Sequence, residues 1–438
     1  MGSDKRKNNH ILNFQLSIIN FQPIINPPAG GQFFKKLIAV LVVILLFFLR
    51  VSLIPKLDLK DGQKVKVTGS LKEEPQIFAN RQKFNLGQFE VWGNRYPEYH
   101  YGDELRVTGK IKLKNQYFGR KFYILSYTEI ETVSGVVSNT SLVGKAIKLR
   151  TKLRLLFMKY FSQPLDGLVA GVVLGDKNLL PTDFWKKLQQ TGTLHIIVAS
   201  GMNIAMFSKG LLSFLSIFFR RRIATVLLIV LIWFYSAMTG LQAPIIRAAT
   251  MMTLIYLSNI SGREAEAGRV LFLTGVFMVF INPFWLWDIG FQLSFLAVTG
   301  LVYVQPILKI LVKNSNRVVQ SDNFLSSVAA QITTLPILLC NFGQFNILSP
   351  FINLIILWAV PYILQIGIFV ALLGLLWIKL GEIASYLLFP FLFFIEQSIN
   401  LFAKVKIFQI ETPKFSWWWA VVYYLILWWW IKNSKFKV

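Results

Sequence analysis

SPFINLIILWAVPYILQIGIFVALLGLLWI, residues 349–378, is almost wholly apolar. A helix of about 20 apolar residues crosses the ~30 Å hydrocarbon core of a bilayer, so this stretch reads as membrane-embedded. It has company: LIAVLVVILLFFL at 37–49, and 223–239, bounded by Arg222 and Gly240. A large soluble core holds one such run, not a series. The whole chain agrees, with 54% hydrophobic and 15% charged residues over 438 positions and a mean hydropathy of +0.52. Soluble domains carry about 25% charged residues. The fold class expected is an α-helical polytopic membrane protein.

The formal net charge of +25 invites a nucleic-acid reading, but membrane topology accounts for much of it. Short cytoplasmic loops collect Lys and Arg, and the excess sits at span ends: Lys5, Arg6, Lys7, Lys35, Lys36, Arg220, Arg221, Arg222, Lys309, Lys313 and Arg317. Charge alone does not establish a DNA partner. The one cysteine, Cys340, permits no intrachain disulfide, and three scattered histidines (His10, His100, His195) build no multi-histidine metal site. No metal or other cofactor is expected. The 37–49 run lacks a small-residue cleavage site and reads as a retained anchor.

Residues 1–36 read as a cytoplasmic tail and 37–54 as the first span. From 56 to 140 the pattern changes to period two, as in KVKVT at 64–68 and ELRVT at 104–108, which signals half-buried strands. Two units echo each other, DGQKVKVTGSL (61–71) and YGDELRVTGKI (101–111). With FYILSYTEIET (122–132) and VSGVV (133–137) they predict five or six short strands, in a small closed barrel of the OB type. Its charge is nearly balanced, 14 Lys/Arg against 10 Asp/Glu over 56–135, so a docking role suits it better than tight polyanion binding.

KAIKLRTKLRLLFMKYF, at 145–161 and continuing to 163, is a basic amphipathic helix with Lys145, Lys148, Arg150, Lys152, Arg154 and Lys159 and no acid. Such helices usually lie at a membrane surface; positive charge here also suits a polyanion channel. The membrane body follows over 164–432, with spans expected near 164–175 (short, re-entrant), 193–218, 223–240, 242–260, 266–282, 287–311, 323–342, 349–377, 382–403 and 416–431, and a cytoplasmic tail at 433–438. The positive-inside rule puts the β-rich domain outside the cytoplasm, although Lys404 and Lys406 fit that topology poorly.

Polar side chains at membrane depth mark a pathway or internal glue. His195, Ser200, Gly201 and Asn203 interrupt one apolar run. A Ser-Gly pair there breaks a helix more readily than it catalyses, since no orienting acid is near. Arg247 follows Pro244 inside TGLQAPIIRAATM (239–251); it is either an internally paired side chain or, facing water, a phosphate contact. Gln292 and Ser294 enter behind Asp288, and Gln331 and Asn353 continue the thread. Interhelical hydrogen bonds explain any one of them; the run of them suggests a hydrated interior.

In this order, GVVLGDKNLLPTDFWKKLQQTGTLHIIVASGMNIAMF (171–207), LQAPIIRAATMM (241–252), DIGFQLSFLAVTGL (288–301) and FGQFNILSPFINLIILWAVP (342–361) resemble the signature segments of the ComEC/Rec2 family of competence proteins. The resemblance covers about 56–400, and the family's layout also includes an OB-like extracytoplasmic domain. It implies an inner-membrane channel passing single-stranded DNA into the cytoplasm during natural transformation, working with a DNA receptor, a helicase and a separate nuclease. The family's His…Ser-Gly motif falls on His195, Ser200 and Gly201, its arginine on Arg247, and its Gly-Phe-Gln-Leu-Ser on Gly290 to Ser294. Many members have His where Asn203 stands, and longer ones append a metallo-β-lactamase-like domain. Without that domain, strand degradation is expected from another polypeptide and no enzymatic activity from this chain. No GxxxxGK[ST] loop is present, so energy is expected from a partner or from trapping of the strand. The alternatives are a membrane transporter or enzyme acting on a small anionic or lipid-linked solute, or a non-conducting scaffold.

Overall fold

The computed structural model describes residues 47, 50–53, 59–71, 75–77, 81–87, 89–99, 102–117, 120–134, 142–176, 178–197, 201–313, 320–405, 409–413 and 415–434. The tail at 1–36, most of the 37–54 span, Ser200, Arg317, Lys406 and 435–438 lie outside the described residues.

Six strands form the β-rich domain: β1 (Lys64–Ser70), β2 (Gln76–Ile77), β3 (Arg81–Leu86), β4 (Phe89–Asn94), β5 (Glu104–Tyr117) and β6 (Arg120–Ser134). They make one sheet in the order β1-β5-β6-β4-β3-β2. All neighbours are antiparallel except β4 and β6. The alternation read in the sequence lines one face with Phe84, Leu86, Val91, Leu105, Val107, Tyr123 and Leu125. Two expectations need correction. Strands β5 and β6 are long, 14 and 15 residues, and the sheet is a half-barrel: among the described residues β1 and β3 lie close without sharing a hydrogen-bond ladder. Register shifts at Glu104/Leu105, Thr108/Lys110 and Leu113/Asn115 bend the long ribbon, so two strands supply curvature that short ones would provide by number.

The rest is helical: α1 (Leu142–Tyr160), α2 (Leu165–Leu174), α3 (Thr182–Thr191), α4 (Leu194–Ile197), α5 (Gly201–Phe218), α6 (Arg221–Met238), α7 (Ala243–Ile260), α8 (Ala267–Ile281), α9 (Ile289–Thr299), α10 (Gln305–Leu311), α11 (Asp322–Asn341), α12 (Ser349–Ile356), α13 (Val360–Leu376), α14 (Ile378–Ala403) and α15 (Trp417–Ser434), with a small sheet of β7 (Gln344–Asn346) and β8 (Gln409–Glu411). Among the described residues six stretches are long and apolar enough to cross a membrane, Leu194–Phe218, Arg221–Met238, Ala243–Ile260, Ile289–Leu311, Asp322–Asn341 and Ile378–Ala403, and the bent pair Ser349–Ile356 and Val360–Leu376 makes a seventh if it is one span. The chain is a polytopic helical membrane protein with a small β domain.

The long apolar stretches are interrupted, each for a local reason. Residues 349–378 split into α12 and α13, bent by 43°, where Pro361 at the start of α13 removes an N–H from the ladder. Between α9 and α10 the helix widens to a π-turn over Gly300–Val304; a Cβ at Gly300 would lie 2.5 Å from the Ala329 carbonyl oxygen and 2.6 Å from Thr333 Oγ1 on α11. The ten residues of α2 are all buried, and that helix is too short to span.

Within α11, Pro336 has no N–H for the Ile332 carbonyl. The hydroxyl of Tyr423 on α15 donates to that oxygen at 2.9 Å, and Tyr424 donates to the Thr333 oxygen at 2.9 Å. Removing the donor to the carbonyl that Pro336 leaves open should cost about 1 kcal/mol, and removing the other less. Tyr423→Phe is therefore expected to lower the melting temperature in detergent more than Tyr424→Phe; equal losses would remove Pro336 from the explanation.

Candidate functional site

Three segments far apart in sequence meet at the start of α5. Arg247, on the first turns of α7, reaches across so that one guanidinium nitrogen donates to the Ser294 carbonyl oxygen of α9. Its other terminal nitrogen lies over Gly201, at a spot a Cβ would occupy, with Ala248 Cβ 3.3 Å from the same point. Arg247 is only 6% exposed, and its Nε finds no partner among the described residues. A guanidinium held this tightly has its orientation set by backbone at Ser294 and by the missing side chain at Gly201.

The flanking geometry serves the same crossing. Helix α7 begins after Gly240 (φ +95°) and Leu241 (φ +50°), the latter in a region L side chains rarely adopt. Pro244 then stands 3.7 Å from a Cβ built at Gly290. Asp288 caps α9 by accepting from the Phe291 N–H at 2.7 Å. Gln292 donates to the Leu286 oxygen at 2.7 Å, leaving its Oε1 without a partner among the described residues, as is Thr250 Oγ1, one turn beyond Arg247.

His195 lies on α4, its Nδ1 3.0 Å from the Gly192 oxygen. The residue is exposed, and this bond holds the ring against the C-terminal end of α3. Gly192 closes on α12, where a Cβ would meet Ser349 Cβ at 2.8 Å.

The remaining sequence candidates divide. Asn203 is fully buried and donates to the Val172 oxygen at 3.1 Å, while Tyr235 donates to the Val173 oxygen at 3.0 Å; together they satisfy carbonyls at the C-terminal end of α2. Gln331 donates to the Asn346 oxygen at 2.9 Å, and Asn346 reaches the Gln190 oxygen at 2.7 Å, tying α11 to the end of α3. Asn353 is buried, with Oδ1 lacking a partner among the described residues. Neither Gln331 nor Asn353 is brought to Arg247 by any of these bonds.

The basic helix is also divided. Lys145, Lys148, Lys152 and Lys159 are exposed. Arg150 is buried, its Nη2 3.6 Å from Asp176 Oδ1, and Arg154 Nε lies 3.7 Å from Asp176 Oδ2. Arg150 therefore belongs to the interior and not to an interfacial face. Sequence reading passed over Asp176 and Lys209; Lys209 sits half-buried in the middle of α5, its signal a lone cation inside an apolar run.

The family model described as competence protein matches residues 172–436, more than half of the chain. ComE operon protein 3 of Bacillus subtilis (strain 168) is 24% identical over 301 residues, 68% of this chain and 38% of that protein. An uncharacterized protein of Aquifex aeolicus (strain VF5) is 34% identical over 134 residues, 30% of this chain and 31% of that one. The chain thus spans well under half the length of these curated relatives. No solved structure matches. The matched region begins in α2 and takes in Gly201, Arg247 and Ser294, and on that match the chain belongs to the competence protein family.

Proposed function

We propose that this protein forms a cytoplasmic-membrane channel through which single-stranded DNA enters the cell in natural transformation. The observation that carries the reading is the meeting of Gly201, Arg247 and Ser294 from three stretches long and apolar enough to cross a membrane. A buried cation there is costly, and a guanidinium matches phosphate oxygens better than any other side chain. In the arrangement described, Arg247 has almost no open surface, so the strand's route has to open beside it. His195, exposed on α4, adds a polar side chain to the lining in this reading. The β domain faces outward in this reading, and a DNA receptor, a helicase and a separate nuclease act with the channel.

The test is import of labelled single-stranded DNA into proteoliposomes and into complemented cells, comparing the intact protein with Arg247→Ala and Arg247→Lys. Uptake that falls with both substitutions supports a phosphate-contacting guanidinium, because a lysine point charge does not reproduce the planar fork. Uptake unaffected by either leaves a channel in which Arg247 is structural. No uptake by the intact protein, even with a helicase and an internal nuclease supplied, would overturn the reading in favour of a solute transporter or scaffold.

A further inference from the structure

Helix α1 has two faces with different destinations. Ala146, Leu153 and Phe157 are buried in the main core of the membrane body, with Ile147 and Arg150 also inside. Most of the apolar side of this amphipathic helix is therefore already covered by protein, and the large apolar side chains left outside are Leu155 and Met158. The exposed face carries a stripe of lysines at helical spacing, Lys145, Lys148, Lys152 and Lys159, beside Thr151, Leu155 and Met158, with no acid anywhere on the helix. At about 1.5 Å per residue the lysines extend over roughly 21 Å.

The helix is fixed at its middle and at its C-terminal end. Near its middle, Arg150 and Arg154 engage Asp176. At its end, Tyr160 donates to the Ile378 oxygen at the α13–α14 turn, 3.0 Å away, and its ring packs where Gly374 and Gly381 have no side chains. Strand β6 ends at Ser134 and α1 starts at Leu142, and residues 135–141 carry no Lys or Arg, so the stripe holds the first basic residues after the β domain.

We propose that this lysine stripe is a landing rail for the phosphate backbone of single-stranded DNA between the β domain and the membrane body. It rests on the channel reading for its occupant. Lysines on a rigid helix, without acids or base-reading groups, neutralise phosphates with no regard to sequence. The inward arginines do not take part; they anchor the rail.

The test uses the full-length protein in zwitterionic detergent, with a fluorescent oligothymidine as probe, over a series of salt concentrations. For Lys145→Gln/Lys152→Gln/Lys159→Gln, affinity should fall about tenfold or more at low salt. Each phosphate that a lysine neutralises adds ~0.7 to the slope of log K against log salt, so the slope should become shallower by about 2. The triple Lys→Arg variant should keep both. Unchanged affinity and slope would overturn the rail, as would a loss confined to co-purified anionic phospholipid, which would make the stripe a lipid surface. DNA import by the triple Gln variant at the intact rate would sink the rail and leave the channel standing. Salt-dependent binding lost in that variant, without import by the intact protein, would keep the rail and sink the channel.

Discussion

Gly201→Ala is expected to cut DNA uptake tenfold or more and to destabilise the protein by about 1–3 kcal/mol, the usual cost of overpacking a filled interior. The added methyl would fall on a terminal nitrogen of Arg247 and within 3.3 Å of Ala248 Cβ. That guanidinium has little room to withdraw, being bonded to the Ser294 oxygen on its other side and almost fully buried. Either the arginine swings away, losing a hydrogen bond from a charged donor worth about 1.5–3 kcal/mol, or α5 moves off α7. Gly210→Ala on the same helix is the control, because its Cβ would meet only Gln365 Nε2, at 3.7 Å. Alanine is the better helix former by about 1 kcal/mol, so the two changes should have opposite signs in a thermal melt. If Gly201→Ala behaves like Gly210→Ala in both melting and uptake, the close packing of arginine on glycine is not what matters there.

What the sequence disclosed follows from which interactions are periodic and which are distant. The echoing units at 61–71 and 101–111 prove to be antiparallel neighbours, with Val67 opposite Val107 and Ser70 opposite Glu104, and period two was enough to find both. The parallel pairing of β4 with β6 leaves no local trace. Span-length apolar runs were readable because lipid sets their length. The π-turn at Gly300 was not, because its neighbours Ala329 and Thr333 come from another helix. In the same way Gly201, Arg247 and Ser294 each stood out as interruptions, while their meeting depends on how α5, α7 and α9 cross. Arg150 is a different case. It shares helical phase with Ala146, Leu153 and Phe157, all buried, so its inward position was legible from spacing; counting six basic residues together obscured it. Its partner Asp176 lies beyond the end of the next helix, out of reach of any periodic argument.

That partner sets the second large effect. Asp176→Asn is expected to destabilise the protein by about 3–5 kcal/mol, the range for breaking a buried ion pair from one side. The Asp176 side chain is 4% exposed and faces Arg150, 7% exposed, and Arg154, 23% exposed. Asparagine keeps the size and can keep the bond that Oδ1 accepts from the Asn178 N–H at 3.1 Å, so the charge is the main thing removed. Arg150 would then be left buried with no carboxylate, its Nε and Nη1 already lacking partners among the described residues. Replacing the cation as well should recover much of the loss, since apolar groups of similar volume often substitute for a buried ion pair without penalty. Asp176→Asn/Arg150→Met should therefore melt well above Asp176→Asn alone and return to the membrane fraction in near-normal amount. A single variant that melts like the intact protein would mean that the cluster is hydrated, and that α1 is held to α2 by the apolar contacts of Leu153 and Phe157 instead.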